Sequence, residues 1–263
     1  MIKLIASDID GTLLPEGTDR INREIFDVIL KLKEQGIMFA AASGRQYNSI
    51  YELFQPVAHE MIFICENGAY VNCRGYQMSA SVMDRQMTED VIRYIRGLDG
   101  CFLTASCTDA MYIETADEKF GRLLTEGYHN KIKIVEDVLA EDLDIIKMSI
   151  YKETGIHDIA EETIKRWGDK MHVTVAGDIW IDFMDKKTDK GNAIKTIQEV
   201  MHILPEETMV FGDNHNDLGM MKRAVESYAV ANAQPAVIEA ANNLADKNVN
   251  DGVLKVLKTL LGE

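Results

Sequence analysis

The sequence holds no uncharged run approaching the ~18–20 apolar residues that a membrane span needs, so a spanning protein is not expected. Its first ten residues, MIKLIASDID, place aspartates where a secretory leader would need an apolar segment of about 7–15 residues, and export is not expected either. Positive charge is scarce: 28 Lys and Arg face 43 Asp and Glu, a net charge of -15. Such a balance repels nucleic acid and anionic lipid unless basic groups cluster. The densest basic stretch, Lys186, Lys187 and Lys190, is interrupted by Asp185 and Asp189. Neither nucleic acid nor membrane is therefore expected as a partner, and the acidity reads as a well-solvated surface. The four cysteines, Cys65, Cys73, Cys101 and Cys107, lack the paired short spacings of a zinc site and read as free thiols of a reducing, cytoplasmic compartment. Internal repeats and low-complexity stretches are also missing.

What is there begins with a 46% apolar content, enough for one large core or two modest ones. Ile2 to Ser7 is an apolar run that ends in Asp-Ile-Asp-Gly-Thr, as a buried strand ends in a polar loop. A helix follows, capped by Asn22 and carrying Ile25, Val28, Ile29 and Leu32 at helical spacing up to Gly36. Ile37–Ala42 and Met61–Cys65 are the next strand-like runs, ending in Ser43-Gly44-Arg45 and Glu66-Asn67-Gly68. Strand and helix alternating at this rhythm predict a doubly wound, mostly parallel, Rossmann-like α/β sheet. From Thr88 the pattern changes to closely spaced strand pairs mixed with helices, which predicts an inserted α+β domain with an antiparallel sheet covered on one face. The first rhythm returns at the helix Lys190–Met201 and the strand Thr208–Phe211. The expected division is therefore residues 1–82 plus 186–263 for the core domain and 83–185 for the insert.

Polar residues gather at the carboxyl ends of the inferred parallel strands: Asp8 and Asp10, Ser43, and Asp213. Open parallel sheets bind ligands at that edge. Asp8 and Asp10 are two apart, so in an extended strand they point into one pocket, where close carboxylates need a cation or a proton between them. Mg²⁺, with its preference for hard oxygen ligands, suits that need. A bare Asp-x-Asp pair before Gly11-Thr12 also suits a capped turn, and the convergence of strand ends argues against that simpler reading.

Asp8-Ile9-Asp10-Gly11-Thr12-Leu13, Ser43-Gly44-Arg45, Lys190-Gly191-Asn192-Ala193 and Gly212-Asp213-Asn214-His215-Asn216-Asp217 resemble the four motifs of the haloacid dehalogenase superfamily. Their order, with the large insert before the lysine, is similar to the Cof-type branch of sugar-phosphate and related phosphatases, and the insert to that branch's α/β cap. The first and fourth motifs are specific; the serine and lysine motifs are weak alone. The resemblance implies a phosphomonoester hydrolase in which Asp8 is the nucleophile that becomes an aspartyl-phosphate, and Asp10 the general acid and base. It implies Mg²⁺ held by Asp8, the main-chain carbonyl of Asp10, and Asp213. It further implies phosphate binding by Ser43, the Gly44 N–H, Lys190 and Asn216, with Asp217 orienting Lys190 or a metal-bound water.

The residue types fit such chemistry, since a carboxylate can carry a phosphoryl group covalently and the transfer needs cations and donors around the equatorial oxygens. His215 reads as rim or surface, and Arg45 as an ion-pair partner within the core or a group reaching for substrate. The expected ligand is a small phosphorylated metabolite, and a monomer is preferred. Two other classes remain open at this point: a phosphomutase using the same intermediate, and a non-catalytic receiver or metabolite sensor that binds phosphate and metal. Inorganic phosphate release separates the first, and turnover of an aryl phosphate the second.

Overall fold

The computed structural model describes residues 1–15, 18 and 21–263. Along the chain, β1 (Leu4–Asp8), α1 (Glu24–Glu34), β2 (Met38–Ala42), α2 (Tyr47–Leu53) and β3 (Ile62–Cys65) alternate as the sequence pattern requires. All five residues of β1 are buried, which is why Leu4, Ile5 and Ala6 are apolar in succession rather than alternating with polar residues, and why the polar Ser7 and Asp8 that follow are also enclosed. The Asn22 side chain accepts the Glu24 N–H at 3.1 Å, and α1 buries Ile25, Val28, Ile29 and Leu32. The hairpin β4 (Tyr70–Cys73) and β5 (Tyr76–Ala80) follows; neither strand was predicted, β4 being only four residues long with the polar Asn72 inside it and β5 being half-exposed with no apolar period.

Next come α3 (Arg85–Arg96), β6 (Phe102–Ser106), β7 (Met111–Ile113), α4 (Glu118–Arg122), β8 (Ile132–Ile134), β9 (Lys147–Tyr151), α5 (His157–Trp167), β10 (His172–Ala176) and β11 (Trp180–Met184). The chain closes with α6 (Lys190–Met201), β12 (Thr208–Gly212), α7 (Leu218–Met221), β13 (Glu226–Val230), α8 (Pro235–Ala240), β14 (Asn243–Ala245) and α9 (Gly252–Leu261). None of the described helices is long and apolar enough to cross a membrane. The chain divides into two compact units, Met1–Ser79 with Asp189–Glu263, and Ala80–Thr188.

The first unit is built on a sheet ordered β14-β13-β12-β1-β2-β3-β4-β5. β1 lies parallel to both β2 and β12, and the order runs outward in one direction through β2 and β3 and in the other through β12 to β14. The reversal between β1 and β12 is the topological switch point, where a crevice opens at the strands' carboxyl ends. Asp8 ends β1 and Asp213 follows β12, so both stand beside that crevice.

The second unit has a sheet ordered β10-β11-β9-β6-β7-β8. Its pairs are antiparallel except β7 with β8, which run parallel and form no hairpin. Leu103, Ala105, Met148, Ile150, Ile181 and Phe183 line one face and bury Val91, Ile92 and Ile95 of α3 and Trp167 of α5. The expectation of cover on one face only needs correction: Phe120 of α4 and Leu124 pack on Met111, Ile113 and Tyr151 of the opposite face. The rings of Phe120 and Tyr151 stack there at 4.8 Å.

Candidate active site

Because β1 is sandwiched between two parallel strands, its last residue is delivered into the crevice with little exposure: Asp8 is 5% accessible. The chain must then turn at once, and Gly11 takes φ +89. A Cβ there would lie 2.4 Å from Asp213 Oδ2, so glycine serves both the turn and the approach of the two motifs. Thr12 completes the link by donating its hydroxyl to Asp213 Oδ1 at 2.7 Å.

The extended strand ends at Asp8, and the two aspartates of the first motif find different partners. Asp10 receives a bidentate pair from Arg45, Nε to Oδ2 at 2.9 Å and Nη2 to Oδ1 at 2.6 Å. Arg45 thus forms an ion pair within this unit.

Lys190 opens α6 and is fully buried. The helix start is fixed by Asp189, whose Oδ1 accepts the Asn192 N–H at 2.9 Å. Gly191 lets α6 pass against α7, since a Cβ there would stand 2.3 Å from the Gly219 carbonyl oxygen. The Lys190 ammonium donates to Asp8 Oδ1 at 2.5 Å and to Asp217 Oδ1 at 2.7 Å. Asp217, also fully buried, turns its other oxygen to the N–H groups of Asp213 and Asn214, both at 3.0 Å. One carboxylate therefore shapes the loop after β12 and positions the lysine.

The electrostatics follow from this crowding. Burial works to lower the Lys190 pKa, but Asp217 and Asp8 outweigh it and hold the ammonium above its ordinary value. Burial, together with the charges of Asp217 and Asp213, raises the Asp8 carboxyl well above the usual range against the pull of Lys190. Asp213 is raised as well, by burial and Asp217, with Thr12 opposing. One ammonium is shared by the Asp8 and Asp217 carboxylates, with that of Asp213 close by.

Asp8, Asp213 and Asp217 each offer an oxygen, and these oxygens all lie within 4.8 Å of one another. Asp8 Oδ2 is buried without a hydrogen-bond partner among the described residues. A hard cation fits such an all-oxygen set and would relieve both the orphaned oxygen and the excess negative charge.

Ser43 follows β2, is 2% accessible, and accepts the Arg45 N–H at 3.1 Å. Its carbonyl accepts the N–H of Asn67 at 3.0 Å. Asn216 donates to Asn67 Oδ1 at 3.0 Å, and a Cβ on Gly44 would meet the Asn67 side chain at 3.2 Å. Asn67 thus ties the second and fourth motifs together. It and Glu66 both have positive φ, 55 and 50, and such paired left-handed residues after a buried strand commonly mark a functional loop. The sequence reading named Glu66-Asn67-Gly68 as a strand end but gave it no role, and it missed Thr12; an Asn-Gly step after an apolar run was the available signal. His215 and Asn216 are exposed.

A model of the haloacid dehalogenase-like hydrolases matches residues 5–257. The chain belongs to this family. Within this hydrolase family it is 29% identical over 270 residues to the 5-amino-6-(5-phospho-D-ribitylamino)uracil phosphatase YbjI of Escherichia coli, covering 99% of this chain and 96% of that one. A Bacillus subtilis protein named for the same activity, YitU, is 26% identical, with 97% and 96% covered. A crystal structure from Eubacterium rectale superposes with a TM-score of 0.89 at 33% identity, covering 98% of this hydrolase and 99% of that chain. The likeness therefore extends over both units of the hydrolase, not the motif-bearing one alone.

Proposed function

We propose that this hydrolase is a Mg²⁺-dependent phosphatase of small phosphorylated metabolites that works through an aspartyl-phosphate on Asp8. The observation that carries the reading is the cluster of Asp8, Lys190, Asp213 and Asp217, with one oxygen of Asp8 hydrogen-bonded to the lysine and the other buried without a geometric hydrogen bond among the described residues. The relatives named as phosphatases support the hydrolytic outcome. Residues 83–185 are taken as the inserted cap domain.

Asp8 attacks phosphorus with Oδ2, while its hydrogen bond to Lys190 fixes the rotamer and leaves the attacking oxygen unencumbered. Lys190, kept cationic by Asp217, offsets charge on the transferring group. Ser43, the Gly44 N–H and Asn216 donate to its oxygens. Asp10 gives a proton to the leaving alkoxide and later takes one from the attacking water, so it must exchange its Arg45 partner for substrate during the cycle. Mg²⁺ held by Asp8, Asp213 and the Asp10 carbonyl, with Asp217 beside them, would supply the positive charge that keeps Asp8 ionised and draws the phosphate in.

The test is a screen of phosphorylated metabolites, a ribitylaminouracil phosphate included, for inorganic phosphate release with Mg²⁺ and with EDTA. Metal-dependent release is expected. Consumption of ester without phosphate release would point instead to a mutase, and binding without turnover of any ester, aryl phosphates included, to a sensor.

A further inference from the structure

We infer that Asn232 is a positioning residue for the metal site: from the turn after β13 it holds the loop that carries the Asp10 carbonyl, and so sets the geometry that favours Mg²⁺. This rests on the metal-dependent reading above. The loop after β1 closes on itself, with the N–H groups of Leu13 and Leu14 donating to the Ile9 carbonyl at 2.9 and 3.1 Å and that of Gly11 to the Leu14 carbonyl at 2.8 Å. The Asp10 carbonyl belongs to the same peptide group as the Gly11 N–H, and in a planar trans peptide the two stand opposite each other. Whatever fixes Gly11 and Leu14 therefore aims the carbonyl expected on the metal.

Two carbonyls of this loop are held from outside it. Asn232 Nδ2 donates to the Gly11 carbonyl at 2.8 Å, and Asn248 Nδ2 to the Leu14 carbonyl at 3.3 Å. The asparagines are themselves joined, since Asn232 Oδ1 accepts the Asn248 N–H at 2.9 Å. The same turn also reaches the other metal-bearing motif: Gln234, two residues on, donates its N–H to the Asp213 carbonyl at 2.8 Å. Residues 232–234 thus grip the main chain of both loops that Thr12 joins through its bond to Asp213. All of these residues lie in the first unit.

Such a brace matters unequally to different cations. Mg²⁺ demands near-octahedral oxygen ligands at about 2.0–2.1 Å, whereas Ca²⁺ accepts about 6–8 oxygens at about 2.3–2.6 Å in flexible arrangements. Loosening the separation between the Asp10 carbonyl and Asp213 should therefore weaken the smaller ion more. Asn232 is exposed, so water can replace its amide at the Gly11 carbonyl, and its loss should fall on geometry rather than on folding.

The experiment measures Kd for Mg²⁺ and for Ca²⁺ by calorimetry on the full-length metal-free protein, with its Tm alongside. Asn232→Ala should weaken Mg²⁺ about 10-fold and Ca²⁺ no more than about 3-fold, the effect expected of a residue that orients a ligand without touching the ion. The metal-free Tm should fall by less than about 5 °C, because only neutral hydrogen bonds of an exposed side chain are lost. Asn248→Ala, which removes only the longer bond to Leu14, should shift the ratio the same way by less, and it keeps the inference testable if Asn232→Ala folds poorly. Asn242→Ala is the control: its Nδ2 donates to the Val225 carbonyl at 2.9 Å, at the amino ends of the strands, and its loss should leave the ratio unchanged. Equal weakening of both ions by Asn232→Ala, or no weakening of either, would overturn the inference alone. A wild type that binds neither ion would overturn the metal-dependent reading and this inference with it.

Discussion

Replacing Lys190 by methionine should strongly destabilise the metal-free protein. The ammonium is fully buried, 2.5 Å from Asp8 and 2.7 Å from Asp217, and the oxygens of Asp8, Asp213 and Asp217 are within 4.8 Å of each other. Methionine keeps most of the volume but leaves three crowded carboxylates without their cation. Removing one partner of a buried pair costs about 3–5 kcal/mol, which for a chain of this size is a fall in Tm of about 6–20 °C. The pH dependence has a definite sign. Burial and Asp217 already hold the Asp8 carboxyl above its ordinary value, and loss of Lys190 moves it further up. A carboxyl whose folded pKa is raised destabilises only while ionised, so the deficit of the variant should narrow as pH falls through that raised value. In the wild type, the raised Lys190 pKa makes its contribution complete below the ordinary lysine value and lost only as pH rises through the folded one. Thermal melts in EDTA at neutral and mildly acidic pH measure both effects, and Lys190→Met with Asp217→Asn should recover part of the loss. A Lys190→Met protein melting within about 2 °C of wild type at pH 7 would refute the reasoning, because it would mean less than about 1 kcal/mol rests on this contact.

Three further outcomes follow from the same geometry. Gly11→Ala forces a Cβ to 2.4 Å from Asp213 Oδ2 at φ +89, so urea melts should show a loss of about 1–3 kcal/mol and Mg²⁺ affinity should drop. In Asp213→Asn, the rise in Tm that saturating Mg²⁺ gives the wild type should largely vanish, while the metal-free Tm holds or increases as one crowded charge is removed. Asn67→Gly should cost less stability than Asn67→Val, because the position is left-handed at φ 55, but both should raise KM through loss of the Asn216 contact.

Much of this organisation was written in local pattern. The buried runs at Leu4–Asp8, Met38–Ala42, Ile62–Cys65 and Thr208–Gly212 are legible because a parallel strand covered on both faces is mostly apolar, with polar residues confined to its ends. The edge strands Tyr76–Ala80 and Asn243–Ala245 escaped because half-exposed edges need no such pattern. Lys190 and Asp217 read as site residues from their motifs, but their complete burial and shared contact arise only from the close passage of α6 and α7 at Gly191. Asn67 and Thr12 were missed for a related reason: each acts on a motif distant in sequence, across 149 and 201 residues. The pairing of Asp10 with Arg45 is the first of the two alternatives that the sequence left open for the arginine, and only the bidentate geometry decides it.

The claim on which the account depends is that phosphate leaves substrate by way of the Asp8 carboxylate. Acid-quenched single turnover with a phosphorus-labelled aryl phosphate and Mg²⁺, followed by peptide mapping, tests it directly. Label should appear transiently on the peptide carrying Asp8, be absent in EDTA, and be absent in a folded Asp8→Asn protein that releases no phosphate. Steady phosphate release by Asp8→Asn, or label accumulating on any other residue, would contradict it.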